Sequence, residues 1–351
     1  MTAGKGHIMK VKATDIAREL GISKSTVSLA LNNKPSVNEQ TRRRIFDCRD
    51  RLAQGLPGDG MQMNPTDAAH KEVKILRFSN GMKQVIGAEM DLWTDVNAVF
   101  EKCLFQKNYS MGVMYPDLRS PDYTRIYDAC SRDDVAGVII FGTELLQSDL
   151  EKIRGIRKPM VIYDCLLPGA NCPAVLLNNR QGVTLAVDEL TANGHQDILF
   201  LNNPMPMYNY ESRTEAFIDA MSAHGAADAA ERVVMTESSV QGVYEVMRSY
   251  LKSHRLPQAF LTGSYHVSIG LMRALDEAAV RIPEDVSIIG IDEIPDYMTN
   301  GKKLTAVHVP HTERAFWTIQ MLFHEMENPP QEKSILYTDC ILMPGETVRR
   351  V

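Results

Sequence analysis

From Glu72 to the C-terminus the sequence repeats one unit, a short apolar run followed by an amphipathic segment, and this alternation limits the fold more than any other feature. Val73 to Phe78, Met111 to Tyr115, Gly137 to Phe141, Met160 to Tyr163, Ile198 to Leu201, Ala259 to Thr262 and Val286 to Gly290 read as strands. Asp91 to Gln106, Gln181 to Asn193 and Val267 to Ala279 read as helices among them. Such alternation predicts parallel strands with helices on both sheet faces, an α/β architecture. About 280 residues are too many for one such sheet, so two lobes are expected. Open α/β sheets bind ligands beyond the carboxyl ends of their strands, which makes residues just after a strand the candidates. Asp164 follows the VIYD run, Asp292 follows SIIGID, and Arg213 is expected to open a helix after a proline-rich loop.

A different pattern stands ahead of this region. Ala13 to Asn32 (ATDIARELGISKSTVSLALN) carries two short helical stretches around Gly21. Two helices that cross steeply need a small residue in the first, a residue tolerant of positive φ in the turn, and apolar residues where they touch. Ala17, Gly21 and the group Ile16, Leu20, Ile22, Val27 and Ala30 meet all three needs. Thr14 is a candidate cap for the first helix and Ser23 for the second. The second helix then presents Lys24, Ser25, Thr26, Ser28 and Leu29 outward. Lys24 can take a guanine edge or a phosphate, Ser25 a base edge and Leu29 a thymine methyl. A third helix, capped by Asn38, carries Arg42, Arg43 and Arg44, which suit backbone phosphate. Thr14, Ser23 and Asn32 complete the candidate DNA-binding set.

Charge agrees with this division. Met1 to Leu56 holds eleven Lys and Arg against five acids, a net of +6, so the rest carries -12 of the overall -6. A basic module on an acidic body orients a protein on polyphosphate. No run of eighteen apolar residues and no apolar leader stand in the sequence, so a cytoplasmic location is expected and a membrane partner is not. The six cysteines are scattered, without metal-site spacing. GxGxxG, the P-loop, GxSxG and HExxH are all missing, which argues against an enzyme on a doubly wound fold. A stand-alone solute-binding protein would share the two lobes but would have no use for the basic head.

The stretch VKATDIARELGISKSTVSLALNNKPSVNEQTRRRIF resembles the DNA-binding head of the LacI/GalR (lactose-repressor) family, and VAGVIIFG, GHQDILFL, RTEAF and IPEDVSIIGIDEIPDY extend the resemblance over the rest. It implies a helix-turn-helix head at 10–56, a linker at 57–72 and a core at 73–351 like periplasmic sugar-binding proteins. That core would be two Rossmann-like doubly wound parallel sheets, lobe one at 73–178 with 309–338 and lobe two at 179–308 with 339–351. It also implies a homodimeric repressor, or an activator of the same fold, on palindromic operator DNA, with no cofactor beyond a carbohydrate-like effector in the cleft. Asp164, Arg213 and Asp292 align with ligand-contacting positions of the family, and Trp93 stands where a stacking Phe is frequent. Three departures stand out. Leu29 replaces a usual Arg, Ser264 and Tyr265 replace an Asn-Asp pair, and no Tyr-x-Pro-Asn turn leads to a hinge helix. The segment Arg51 to Pro57 reads either as such a hinge or, with Ile45 and Leu52 at helical spacing, as the end of helix three.

Overall fold

The computed structural model describes residues 12–20, 22–32, the helical positions 41, 42, 45, 46, 48 and 49, then 71–79, 92–120, 122–299, 301–328 and 332–351. Side chains of Asp15, Arg18, Glu19, Ser25, Leu92, Trp93 and Thr94 lie outside that description, as do Gly21, Asn38, Arg43, Arg44 and the stretch 50–70 with both readings of its hinge. The chain forms two compact units, Met1–Ala68 and Ala69–Val351.

In the first unit, α1 (Ala13–Leu20) and α2 (Lys24–Leu31) are two short helices. Neither is long enough to persist alone, so packing must hold them. Ile16, Val27 and Ala30 are buried against Ile45 and Cys48, with Ala17, Leu20 and Ile22 at the edge of the same cluster. The Ile22 amide bonds to the Ala17 carbonyl at 3.1 Å and closes the turn. Ser23 caps α2, its hydroxyl accepting from the Thr26 amide at 3.1 Å. Thr14 does not cap α1: the helix has begun by Ala13, and Thr14 is an exposed residue inside it.

The second unit holds two six-stranded sheets. Lobe one contains β1 (Glu72–Arg77), α3 (Leu92–Gln106), β2 (Ser110–Met114), α4 (Thr124–Ser131), β3 (Val135–Phe141), α5 (Leu150–Arg154), β4 (Met160–Tyr163) and β5 (Ala174–Leu177). Lobe two follows with α6 (Asn179–Ala192), β6 (Ile198–Asn202), α7 (Tyr208–Ala223), β7 (Val233–Met235), α8 (Val240–Ser253), β8 (Ala259–Thr262), α9 (Tyr265–Glu277), β9 (Ser287–Ile291) and β10 (Thr305–His308). The chain then returns to lobe one for α10 (His311–Glu327) and β11 (Ile335–Thr338) and ends in lobe two with β12 (Ile341–Met343). Crossings therefore fall at 178, at 309–310 and at 339–340. Strand β1 starts at Glu72, one residue inside the linker expected at 57–72.

The sheet orders are β11-β5-β4-β3-β1-β2 and β12-β10-β9-β8-β6-β7. All described pairings are parallel except β10 with β12. The order in which strands are added reverses between β1 and β3 and between β6 and β8, which opens a crevice at those carboxyl ends. Strands buried on both faces explain the unbroken apolar runs. Val138 and Ile140 enter one core of lobe one with Ile126 and Ile153, while Ile139 and Phe141 enter the other with Phe100, Ile319 and Leu322. In lobe two Ile289 and Ile291 meet Val187 and Phe217, and Ile288 meets Met247 and Leu271. A one-residue slip would exchange the faces, and each fully buried aliphatic side chain opposes it by roughly 1.5–3 kcal/mol.

Helix α7 begins at Tyr208, so Arg213 sits in its second turn and does not open it. The C-terminal tail closes lobe two through Glu346 N to Lys303 O at 2.7 Å and Thr347 Oγ1 to Ile288 O at 2.7 Å. A Cβ at Gly345 would lie 2.4 Å from the backbone of Leu304, Lys303 and Thr305. Gly345→Ala is predicted to destabilise the core by about 1–3 kcal/mol, read as a lower urea midpoint of its transition.

Candidate functional site

Two sites emerge, one in each unit. In the head, Lys24 and Ser28 are exposed a turn apart on α2, and Leu29 is 40% exposed beside them. These side chains have no part in the small core, so the outer face of α2 is available for contact. Ser23 and Thr26 hold each other at 2.8 Å, and their first duty is the helix start. Asn32 folds back on α2, its amide donating to Ser28 O at 2.7 Å. Arg42 is half-buried and donates to Ala30 O at 3.2 Å, which fastens the third helical segment to α2. The structure thus gives Arg42 a scaffolding bond that its reading as a phosphate ligand did not foresee. Arg43 and the Ser25 side chain lie outside the described residues.

The second site is a cavity of about 70 Å³ between the lobes. Asp164, Arg213, Ser264, Tyr265 and Asp292 all line it, together with Thr143, Asn209, Tyr210, His266, His311 and Arg314. The Trp93 side chain lies outside the described residues. Asp164 and Asp292 follow β4 and β9, which hold equivalent places in their sheets, and both adopt left-handed backbone with φ of 71° and 72°. That conformation turns a side chain back over the strand end and is one that Asp tolerates better than most residues.

A chain of polar contacts crosses the cavity. Thr143 donates to Asp164 Oδ2 at 2.8 Å, and Arg314 Nη1 pairs with Asp164 Oδ1. Arg314 Nη2 also donates to the Tyr163 hydroxyl at 3.0 Å and to His311 Nδ1 at 3.3 Å. A guanidinium only donates, so His311 Nδ1 accepts and its Nε2 carries the proton shared with Asp292 Oδ1 at 3.1 Å. The Asn209 amide adds a second bridge between lobes, to the Asp164 carbonyl at 3.3 Å. Arg213 is held by Asn179 Oδ1 at 2.8 Å and by the Gly263 carbonyl at 2.6 Å, so it is not paired with Asp292.

Electrostatics follow from these partners. Burial works to raise the Asp164 carboxyl, but the Arg314 guanidinium outweighs it and keeps the group below its ordinary value. Asp292 is lowered against the same burial penalty by the His311 bond and by Arg213 and Arg314 nearby. Arg314 is raised despite burial, chiefly by Asp164, and Tyr163 is pushed up to about 12 by burial. His266 has neither ring nitrogen bonded among the described residues, is only 5% exposed, and stacks on Tyr265 with ring centres 3.8 Å apart. Its burial drives the ring down to about 4.

Residues 13–52 match the profile of the bacterial regulatory proteins, lacI family, and residues 187–348 match that of a periplasmic binding protein-like domain. The chain belongs to the LacI family. It is 22% identical over 328 residues to the HTH-type transcriptional repressor PurR of Glaesserella parasuis, covering 93% of this chain and 94% of the relative. The fold is similar to a LacI family transcriptional regulator from Enterococcus faecium with bound ribose, with 21% identity, TM-score 0.65, and 79% and 99% of the two chains covered. It is also similar to the lac repressor dimer bound to operator and the anti-inducer ONPF, with 18% identity, TM-score 0.65, and 97% and 100% covered. A LacI-family chain of this kind is a DNA-binding transcription regulator and not an enzyme. No helix among the described residues is long and apolar enough to cross a membrane.

Sequence reasoning found the cleft residues that directly follow strands and missed Thr143, Asn209, His266, His311 and Arg314. Thr143 carried the same signal as the others, since it stands two residues beyond β3. His311 and Arg314 offered a weaker one: two basic side chains in the helix that begins where the chain crosses back to lobe one.

The buried histidines give this core a defined acid response. His195 donates through Nδ1 to Leu190 O at 2.9 Å and accepts from Ser287 at 2.8 Å, and burial lowers it also. Both rings ionise near 6.5 when unfolded, and His266 near 4 when folded. Stability from keeping them neutral is full above 6.5 and is lost as pH falls toward the folded value. The melting temperature of the core is predicted to fall between pH 6.5 and 4, and His266→Gln should flatten that slope in scanning calorimetry.

Proposed function

We propose that this LacI-family regulator is a cytoplasmic repressor that binds a palindromic operator as a homodimer and releases or gains it when a small, carbohydrate-like effector enters the inter-lobe cavity. The observation that carries the reading is the cavity itself: both lobes supply side chains to it from the carboxyl ends of their strands, where doubly wound sheets bind ligands. Paired carboxylates and guanidinia beside a stacked Tyr265 and His266 suit the hydroxyl groups and apolar face of a sugar-like ring. The ribose held by the Enterococcus faecium relative supports that class, and the operator-bound lac repressor supports the dimer. Two heads in such a dimer read two half-sites, so operator symmetry mirrors protein symmetry. No separate cofactor is required, since the effector acts only through its different affinity for two lobe arrangements.

In the head, Lys24, Ser25, Ser28 and Leu29 are the proposed base-reading residues, and Ser23, Thr26 and Asn32 position α2. Lys24→Ala with Ser25→Ala is predicted to weaken a selected operator far more than random DNA in fluorescence anisotropy; equal losses would show that they read no bases. In the core, Arg213→Ala should abolish the response of operator binding to effectors found in a panel of sugars, sugar phosphates and purines. The response at stake is about 5- to 150-fold in affinity. A mutant that still responds fully would remove Arg213 from the effector site.

A further inference from the structure

Three helices of the core begin at the cavity, and no side chain caps any of them. Helix α7 starts after Met207, α9 after Ser264 and α10 after Pro310, each without a side-chain hydrogen bond to its first turn. Met207, Ser264, Tyr265 and His311 from these starts all line the cavity. Among the other core helices, α6 and α8 are capped by the Asn178 and Ser239 side chains, while α4 and α5 have no cap from the residue at their start. Each uncapped start aims free amide groups and the positive end of a helix dipole at one small volume.

The side chains there are also short of acceptors. Among the described residues Arg314 Nε is buried without a partner, and His266 is 5% exposed with both nitrogens unbonded. Arg213 uses Nε and Nη1 on Asn179 and Gly263, and no hydrogen bond among the described residues reaches its Nη2. The carboxylates that would repel an anion are already engaged, Asp164 by Arg314 and Thr143 and Asp292 by His311. Arg213 and Arg314 balance Asp164 and Asp292 in formal charge, so the helix ends tip the field positive. A buried donor left without a partner is unfavourable, and a charge-assisted bond to an oxyanion is about twice as strong as one to a neutral oxygen.

We infer that the effector carries an anionic group with at least two oxygen acceptors, a carboxylate or a phosphate, received by Arg213 Nη2, Arg314 Nε, His266 and the starts of α7, α9 and α10. This rests on the reading of the cavity as the effector site and specifies its chemistry. The effector is then an acid or phosphoester of a small polyhydroxylated compound in preference to the neutral parent. Arg314 and His266 become the residues that choose between the two.

Acetate and acetamide, equal in shape and different in charge, separate the possibilities on the full chain. Thermal unfolding of the core is followed with each compound and with inorganic phosphate at constant ionic strength. Acetate or phosphate should raise the melting temperature with concentration and acetamide should not, and which anion acts distinguishes carboxylate from phosphate. Arg314→Lys keeps a cation beside Asp164 but has no Nε, and should weaken the anion about tenfold or more. His266→Gln supplies an independent variant with the same expected direction. Equal stabilisation by acetamide, no stabilisation by either anion, or the same anion effect in wild type and both variants would overturn the inference. If ribose or glucose stabilises the wild type but not Arg213→Ala while the anions do nothing, the effector site stands and only its anionic character falls.

Discussion

The ion pair between Arg314 and Asp164 is the interaction on which the core's central site depends. Its two members come from α10 and from the end of β4, 150 residues apart in sequence, and both are almost fully buried. Two isolated charges at that depth would each cost several kcal/mol, so neither is tolerable alone. Thr143, Tyr163 and His311 supply further bonds that a buried pair requires. Through His311 the network reaches Asp292 in lobe two, and so a pair made within one lobe helps to fix the distance between both.

The fold explains why charge concentrates there. Two sheets with the same strand order each open a crevice where that order reverses, and the crossings at 178, 309–310 and 339–340 place the crevices face to face. Asp164 and Asp292 occupy corresponding positions after β4 and β9 with the same left-handed backbone. One architectural rule applied twice thus delivers two carboxylates to one cavity. The partners differ: Asp164 has a guanidinium of its own lobe, whereas Asp292 has an imidazole at the crossing, the weaker and more easily exchanged bond.

Much of this was legible in the residues. The head could be read from Ile16, Ala17, Leu20, Ile22, Val27 and Ala30 because a two-helix crossing is local, and local spacing is what a sequence displays directly. The long strands were legible for a related reason, since burial on both faces leaves unbroken apolar runs such as VAGVIIF. Strands β7 and β12, of three residues each, give no such run and are unassigned in the sequence analysis, as are β10, where His308 interrupts the pattern, the half-exposed β11, and β5, although its AVLL is buried throughout. Asp164 and Asp292 could be proposed from their place after a strand. Arg314 could not, because its position in the cavity depends on α10 returning across the lobes, and nothing in HTERAFW distinguishes a buried guanidinium from an exposed one. Arg42 shows the same limit in the head: its basic neighbours suggest phosphate, while its bond to Ala30 O depends on how the third helical segment lies on α2.

Stability alone does not account for Arg314. Around it the buried side of α10 is largely apolar, with Ala315, Ile319 and Leu322 packed on the sheet of lobe one and Thr318 bonded back to the Arg314 carbonyl at 2.7 Å. A leucine or methionine there, with a neutral partner for Thr143 in place of Asp164, would fill similar space without desolvating two charges, an exchange that is often neutral or stabilising by about 1–4 kcal/mol. The guanidinium also leaves its Nε without a partner among the described residues, a further cost that an aliphatic residue would avoid. What an arginine provides, and a leucine does not, is a rigid fork of five donors that lie in one plane and point along its different edges. One edge holds the protein's own carboxylate. Arg314 also lines the cavity, and its buried Nε, unbonded among the described residues, is useful only to a molecule that brings an acceptor.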